Sequence, residues 1–306
     1  MPGGPCQDRA NPEGESDLDI AGRTAVVTGG GSGIGRSIAL ALASGGCNVG
    51  VADIEGAAAE RVAAEAEDAG VTAAAYEVDV TAEADVDVLA ERSFGDFGSV
   101  EILVNNAGVI PKPGPLLESS ATDYDWVFAV NVRGMLNGIR SFGGRFASSE
   151  GPCWILNTGS EHCLGVPHLY SGLYTATKHA VLGLSAVLRG ELPGHVGVSV
   201  LCPGLVDTGI WRSSERRPER FGGAAEADPA SAAVTQLGMA PDEVAARAVE
   251  GIRDESFYIV SHSHVVEIAQ RRWEEIAAAF EAQAPRRAGD EEYSVERIMA
   301  RLTEGS

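Results

Sequence analysis

Positive charge is scarce in this chain of 306 residues: 23 Lys plus Arg face 44 Asp plus Glu, a formal net charge of −21. So acidic a chain repels phosphate backbones, which argues against nucleic-acid binding. Lysine is scarcer still, since only Lys112 and Lys178 are present, so a lysine-containing motif is hard to meet by chance. The five cysteines (Cys6, Cys47, Cys153, Cys163 and Cys202) are scattered, with no C-x-x-C pair and no spaced His pair nearby. Neither a zinc site, nor any other metal, nor a disulfide framework is indicated, which fits a reducing cytoplasm. Long apolar runs are missing too. The charge-free stretch 37–52 is interrupted by Ser44, Gly45, Gly46 and Asn48 and is too short to span a bilayer. The first twenty residues lack the basic start and apolar core of a signal peptide. A cytoplasmic protein is expected, with no membrane and no nucleic acid among its partners.

What is present is an ordinary globular balance, 44% apolar and 22% charged, which excludes a wholly disordered, collagen-like or coiled-coil chain. Residues 1–17 read as a disordered acidic arm. From there short apolar runs alternate with helical patterns. Strands are expected at 24–28, 48–53, 73–78, 101–105, 154–158, 196–201 and 257–260. Helices are expected at 33–44, 55–69, 82–94, 122–148, 174–192 and 241–252, and a further one at 265–282. Strands apolar on both faces, repeated in β–α–β order, imply an α/β fold: a doubly wound, seven-stranded parallel sheet of Rossmann type flanked by helices. No composition break marks a second domain, so 18–283 reads as one domain with a C-terminal helical extension, and 284–306 as a charged, loosely held tail. Within it, 203–240 reads as a loop-rich insertion beside the substrate.

The first strand runs into Thr28-Gly-Gly-Gly-Ser-Gly-Ile-Gly35, which places Gly29, Gly33 and Gly35 at G-x-x-x-G-x-G spacing. Glycine allows a tight turn and close backbone approach to a pyrophosphate, and the following helix start offers free N–H groups. Asp53 ends the second strand, 18 residues past Gly35. A carboxylate there accepts ribose hydroxyls and repels a 2′-phosphate. The next residue is Ile54 and the Gly loop holds no cation, so NAD is the expected cofactor rather than NADP. Tyr174 and Lys178 stand four apart on one helix face, where an ammonium can lower the pKa of a phenol that is otherwise a poor base.

These motifs together resemble the short-chain dehydrogenase/reductase family in its single-domain form. The resemblance covers roughly 18–260. It rests on Thr28–Gly35, Asp79-Val80, Asn105-Asn-Ala-Gly108, Asn131 in Val130-Asn-Val-Arg-Gly134, Ser160, Tyr174/Lys178, and Pro203-Gly204 with Thr208. The resemblance implies roles at matching positions. Tyr174 would be the general acid/base and Lys178 would hold the nicotinamide ribose and tune the phenol. Ser160 would bind the substrate oxygen, and Asn131 would anchor a water of a proton relay. Gly29, Ser32, Gly33, Ile34 and Gly35 would cradle the cofactor phosphates, and Asp53 with Ile54 the ribose. Asp79 and Val80 would sit near the adenine, and Asn106, Ala107 and Gly108 would line the groove. Pro203, Gly204, Val206 and Thr208 would bracket the carboxamide.

The implied activity is NAD-linked interconversion of a secondary alcohol and a ketone by hydride transfer. A 3-oxoacyl thioester reductase of the same family, a non-catalytic NAD sensor and a methyltransferase are the competing readings. The resemblance also implies a homodimer or homotetramer built on the helices at 123–148 and 174–192. Ser160 lies 14 residues before Tyr174, one more than the family's commonest spacing, and Tyr170 offers a competing phenol without a Lys four residues on. The run Arg212, Arg216, Arg217, Arg220 is either a cationic rim on an apolar pocket or a solvated face, since Glu215 and Glu219 are interleaved. His162 and His168 read as pocket-wall or surface residues.

Overall fold

In the computed structural model, which describes residues 18–165 and 168–304, seven strands form one sheet. They are β1 (Thr24–Thr28), β2 (Asn48–Asp53), β3 (Ala73–Glu77), β4 (Ile102–Asn105), β5 (Cys153–Thr158), β6 (Val196–Cys202) and β7 (Tyr258–Val260). Their order is β3-β2-β1-β4-β5-β6-β7, and every neighbouring pair is parallel. The expected arm at 1–17 lies outside the described residues.

Alternation explains the layers. In β1, Ala25 and Val27 enter one apolar core and Val26 the other; Ile102 and Val104 oppose Leu103 in β4, and Trp154 and Leu156 oppose Ile155 in β5. Successive side chains leave a strand on opposite faces, so such runs are stable only between two helical layers. The first layer is α1 (Gly33–Ser44), α2 (Gly56–Glu67) and a later helix at 241–253, which contribute Ile38, Leu42, Val62, Val244 and Ile252. The second contains α3 (Glu83–Phe97), with Val86 and Leu89, and the helix that carries Phe142 and Phe146. The chain winds outward from β1 to β3 and then returns to place β4 on the other side of β1. That reversal opens a crevice at the carboxyl ends of the central strands, where open α/β sheets take their ligands.

The long helix expected at 122–148 is interrupted. α4 (Ala121–Phe128) starts on Ser120, whose Oγ accepts the Asp123 N–H at 3.0 Å. A π-helical segment, Ala129–Gly134, follows, and α5 (Met135–Ala147) resumes the regular helix. A widened turn inside a helix frequently marks a functional site, and Asn131 lies in it. Apolar periodicity cannot see such a register change, because the same faces stay buried on either side. α6 (Gly172–Glu191) carries Tyr174 and Lys178.

The insertion at 203–240 is more ordered than loop-rich composition suggests. It holds 3₁₀ turns at Gly209–Arg216 and Glu219–Phe221 and a short helix, α7 (Pro229–Thr235), with Asp228 accepting the Ser231 N–H at its start. α8 (Pro241–Arg253) then returns to the sheet. The chain divides into two compact units, with the boundary between Ser263 and His264 rather than near 283. The second unit contains α9 (Val265–Gln283) and α10 (Val295–Glu304). α10 falls in the stretch read as a loosely held tail. Its Val295, Ile298, Met299 and Leu302 fall at helical spacing, and the Ser294 Oγ accepts the Arg297 N–H at 3.3 Å. No helix among the described residues is long and apolar enough to cross a membrane.

Candidate active site

One groove runs along the carboxyl ends of the strands. Its floor begins with the loop after β1. Gly29 and Gly33 adopt φ of +63° and +54°, a conformation that favours glycine. A Cβ at Gly35 would lie 2.1 Å from the Gly29 carbonyl, so the loop folds onto the first turn of α1 only because that atom is missing. Asn106 ties the loop to β4: its Nδ2 donates to the Thr28 and Gly29 carbonyls at 3.1 and 3.2 Å. The Thr28 Oγ1 in turn accepts the N–H groups of Asn106 and Ala107. Buried Asp53 closes this end, accepting the Gly31 N–H at 2.9 Å and the Glu55 N–H at 3.0 Å. Its two oxygens keep further lone pairs for a ligand.

At the other end α6 presents its polar pair. The Lys178 Nζ donates to the Thr158 carbonyl at 2.7 Å and lies 5.4 Å from the centroid of the Tyr174 ring. The Ser160 Oγ accepts the His162 N–H at 3.3 Å, and its side chain lines the groove together with Tyr174. Burial pulls the Lys178 ammonium down to about 8, with the Cys163 and Cys202 thiols pulling the other way. Burial likewise pushes the Tyr174 phenol above its ordinary value, and the Ser160 hydroxyl only partly offsets this; Cys163 and Glu161 add to the rise. The spacing argument expected Lys178 to lower this phenol. Burial outweighs that effect: the ammonium lies 5.4 Å from the ring centroid and directs one of its three N–H groups to the Thr158 carbonyl.

Asn131 is held by Val109, whose N–H it accepts at 2.8 Å and whose carbonyl it donates to at 3.0 Å; it also donates to the Thr177 Oγ1 at 3.1 Å. Its side chain faces a small neighbouring cavity shared with Thr28, Asn105 and Thr158 rather than the groove. Gly35 is also outside the groove, behind the loop it lets close. All the other residues expected at the site line the groove: Ser32, Ile34, Ile54, Asp79, Val80, Gly108, Pro203, Gly204, Val206 and Thr208, besides those already placed. Tyr170 is exposed, on a left-handed backbone with φ of 67°. His162 packs edge-on against the Tyr174 ring at 5.0 Å and bonds the Thr175 hydroxyl, while His168 stacks on it and pairs with buried Glu161. Burial first, then the neighbouring His168, pulls His162 down to about 4, so it stays neutral.

The arginine run divides between its two readings. Arg212 pairs with Glu215 in solvent. Arg216 and Arg220 reach into the groove, where Arg216 pairs with Glu55 at 3.1 Å and Arg220 with Asp79 and the Thr81 hydroxyl. Arg217 bonds Asp123 at 2.6 Å and lies over the Trp126 ring. Burial opposes ionisation of Asp79, yet Arg220 and the Thr81 donors hold its carboxyl below the usual range. Sequence reasoning missed Trp126 and Thr158 as groove residues, while Arg216 and Arg220 follow the cationic-rim reading of the arginine run. That run could not say which carboxylates its members would meet.

The residues present fit a dinucleotide: a glycine cradle that a Cβ would fill, the start of α1 that follows it, and beside the loop a carboxylate with acceptor capacity. The family model for short chain dehydrogenases matches residues 23–219. A C alpha-dehydrogenase from Sphingobium sp. is 29% identical over 292 residues, covering 92% of this chain and 94% of the relative. A short-chain dehydrogenase/reductase from Burkholderia phymatum, solved in complex with NAD, aligns with a TM-score of 0.81 at 34% identity, covering 88% of this chain and 98% of that one. A short-chain dehydrogenase from Sphingobium yanoikuyae, solved with NADPH, aligns with a TM-score of 0.68 at 26% identity, covering 87% and 97%.

Proposed function

The chain belongs to the short-chain dehydrogenase/reductase family, and on that premise we propose that it is an NAD-linked enzyme interconverting a secondary alcohol and a ketone, with Tyr174 as general acid/base. The family carries nicotinamide-dependent oxidoreduction between alcohols and carbonyls. The observation that carries the finer reading is the convergence of Tyr174, Ser160 and Lys178 at one end of a groove whose other end is the glycine cradle.

A bound nicotinamide dinucleotide supplies the hydride acceptor or donor. The chain's own residues manage the proton. In reduction the Tyr174 Oη donates its proton to the forming alkoxide, and the Ser160 Oγ holds that oxygen. In oxidation the same phenol, ionised, removes the hydroxyl proton. Burial keeps the proton on Tyr174 at neutral pH, the form reduction needs. Oxidation therefore speeds up as pH rises. Lys178, pulled down to about 8 by burial, stands 5.4 Å from the Tyr174 ring and is cationic below that pH. Asn131 holds the strand-end loop at Val109 and, through Thr177, the helix turn beside Lys178. Val109, Trp126, Ile210 and Phe221 add apolar surface to the groove lining.

Asp53, already bridging two backbone N–H groups, supports NAD because a 2′-phosphate beside it would meet a carboxylate. The assembly is read as a homodimer or homotetramer through α5 and α6, and the location as cytoplasmic. A panel of secondary alcohols with NAD⁺, and of ketones with NADH, read by NADH absorbance, tests the reading. Turnover of any panel member supports it. Loss of NADH absorbance with no reduced product, or no turnover by a protein shown to bind NAD⁺, contradicts it.

A further inference from the structure

The residue after Asp53 is apolar and the glycine loop has no cation, so the ribose end of the groove looks closed to a 2′-phosphate from local sequence. The fold changes that. The 3₁₀ turn Gly209–Arg216 carries Arg216, which lines the same groove as Asp53 and Ile54. A guanidinium there is the group that elsewhere accepts a 2′-phosphate, by paired charge-assisted hydrogen bonds. Here it is engaged: the Arg216 Nη1 lies 3.1 Å from the Glu55 Oε2. Glu55 is the residue whose own N–H donates to Asp53 at 3.0 Å, so the Glu55–Arg216 pair is anchored in the same turn as the strand-end acid. A phosphate entering there faces two negative charges and a positive charge already paired.

We propose that Arg216 is a latent 2′-phosphate-binding residue and that Glu55 holds it out of use, so that this ion pair, with Asp53, sets which nicotinamide dinucleotide the protein takes. The inference rests on the dinucleotide reading of the groove. Its particular content is that discrimination is set by a pair 161 positions apart in the chain (Glu55 and Arg216) as well as by the strand-end acid. The pair is partly exposed, with about a third of the Arg216 side chain and half of the Glu55 side chain reaching solvent. Arg216 is therefore free to swing to a new partner once Glu55 is removed. The Glu55 side chain makes no capping bond to α2, so its removal leaves the helix start intact.

The test is dissociation constants for NAD⁺ and NADP⁺, by calorimetry, in the full chain and in Glu55→Ala, Arg216→Ala and the double variant. Glu55→Ala tightens NADP⁺ by about tenfold or more while NAD⁺ stays within about threefold, because only the phosphate finds a freed guanidinium. Arg216→Ala brings no gain in NADP⁺ affinity, because it leaves Glu55 uncompensated and removes the guanidinium itself. In the double variant the NADP⁺ gain disappears. Glu55→Gln, which keeps an acceptor but no charge, falls between parent and Glu55→Ala, and raised salt shrinks every gain. A Glu55→Ala gain that survives without Arg216 would mean bulk charge rather than a latent site, and overturns the inference. So does an unchanged NADP⁺ affinity in Glu55→Ala, or a parent whose NADP⁺ binding already depends on Arg216. If the parent binds neither dinucleotide, it is the cofactor reading that fails.

Discussion

The two walls of the groove are built on different principles. The wall at the strand ends is made of short-range motifs locked by backbone geometry: Gly35 against Gly29, Asn106 against Thr28 and Gly29, Asp53 against Gly31. The opposite wall, from the insertion after β6, is held by side chains that reach far along the chain. Arg216, Arg217 and Arg220 pair with Glu55, Asp123 and Asp79. The first wall has no slack. The second is adjustable at Arg216 and Arg220, because partly exposed ion pairs contribute little and can exchange partners, whereas Arg217 is largely buried over Trp126.

Two glycines give the sharpest contrast. Gly35→Ala places a methyl 2.1 Å from backbone and 2.4 Å from the Asn106 Nδ2, so the loop must move. We expect a loss of stability at or above the roughly 1–3 kcal/mol of ordinary overpacking, with dinucleotide binding lost alongside. On the other wall, the methyl of Gly209→Ala meets nothing nearer than the Arg216 Nη2 at 3.9 Å and should be near neutral. Denaturant unfolding and calorimetry on both variants check this. Equal costs would erase the distinction between the walls.

Next in size is acid sensitivity at the reacting end. His162 is pulled down from 6.5 to about 4 in the folded protein, so the unfolded chain binds the extra proton between those values. Stability should fall as pH drops through that window, by up to about 3 kcal/mol from this group, and be fully present above it. The Tyr174 and His168 rings pack against the His162 ring, and His168, Glu161, Lys178 and His179 are the charged or titratable groups that act on it. His162→Gln should flatten the pH dependence of Tm between about pH 4 and 6.5. A curve as steep as the parent's would assign the acid loss elsewhere.

Asn106→Ala removes the two side-chain bonds from Asn106 to the Thr28 and Gly29 carbonyls, at a cost of roughly 1–3 kcal/mol for the carbonyls left behind. The smallest effect is expected on the adjustable wall. Arg220→Ala should cost less than about 1 kcal/mol, since half of that side chain is in solvent. Its signature is in the titration. Arg220 helps hold the Asp79 carboxyl low, a contribution present above the unfolded pKa and lost as pH falls through the folded one. In the variant the Asp79 titration, followed by NMR, should rise. If Arg220→Ala destabilises more than Asn106→Ala, the insertion is a structural wall and not an adjustable one.

The same contrast explains what was legible in the sequence. The sheet, its order of strands and helices, and the strand-end wall are encoded by local patterns: period-two apolar runs, a glycine spacing, an acid closing a strand. So is the Tyr174/Lys178 pair, because four residues make one helical turn. Three features were not local. The π-helical segment around Asn131 changes hydrogen-bond register without changing which faces are apolar. The partners of Arg216, Arg217 and Arg220 depend on where a long insertion lands. The direction of the Tyr174 shift depends on burial, which outweighs a cation four residues away. α10 was local and was still overlooked, because the charge of the tail masked its apolar stripe.

The central claim is that one phenol moves the proton. Tyr174→Phe keeps the ring against His162 and removes only the oxygen, so it leaves the glycine cradle and Asp53 intact. Steady-state turnover of Tyr174→Phe, alongside Tyr170→Phe and with NADH binding measured in each, puts the claim to its most direct test. The account predicts retained NADH binding with turnover down by about 10²–10⁴-fold in Tyr174→Phe, and little change in Tyr170→Phe. Near-parental turnover in a folded, NADH-binding Tyr174→Phe would contradict it, as would a loss confined to Tyr170→Phe.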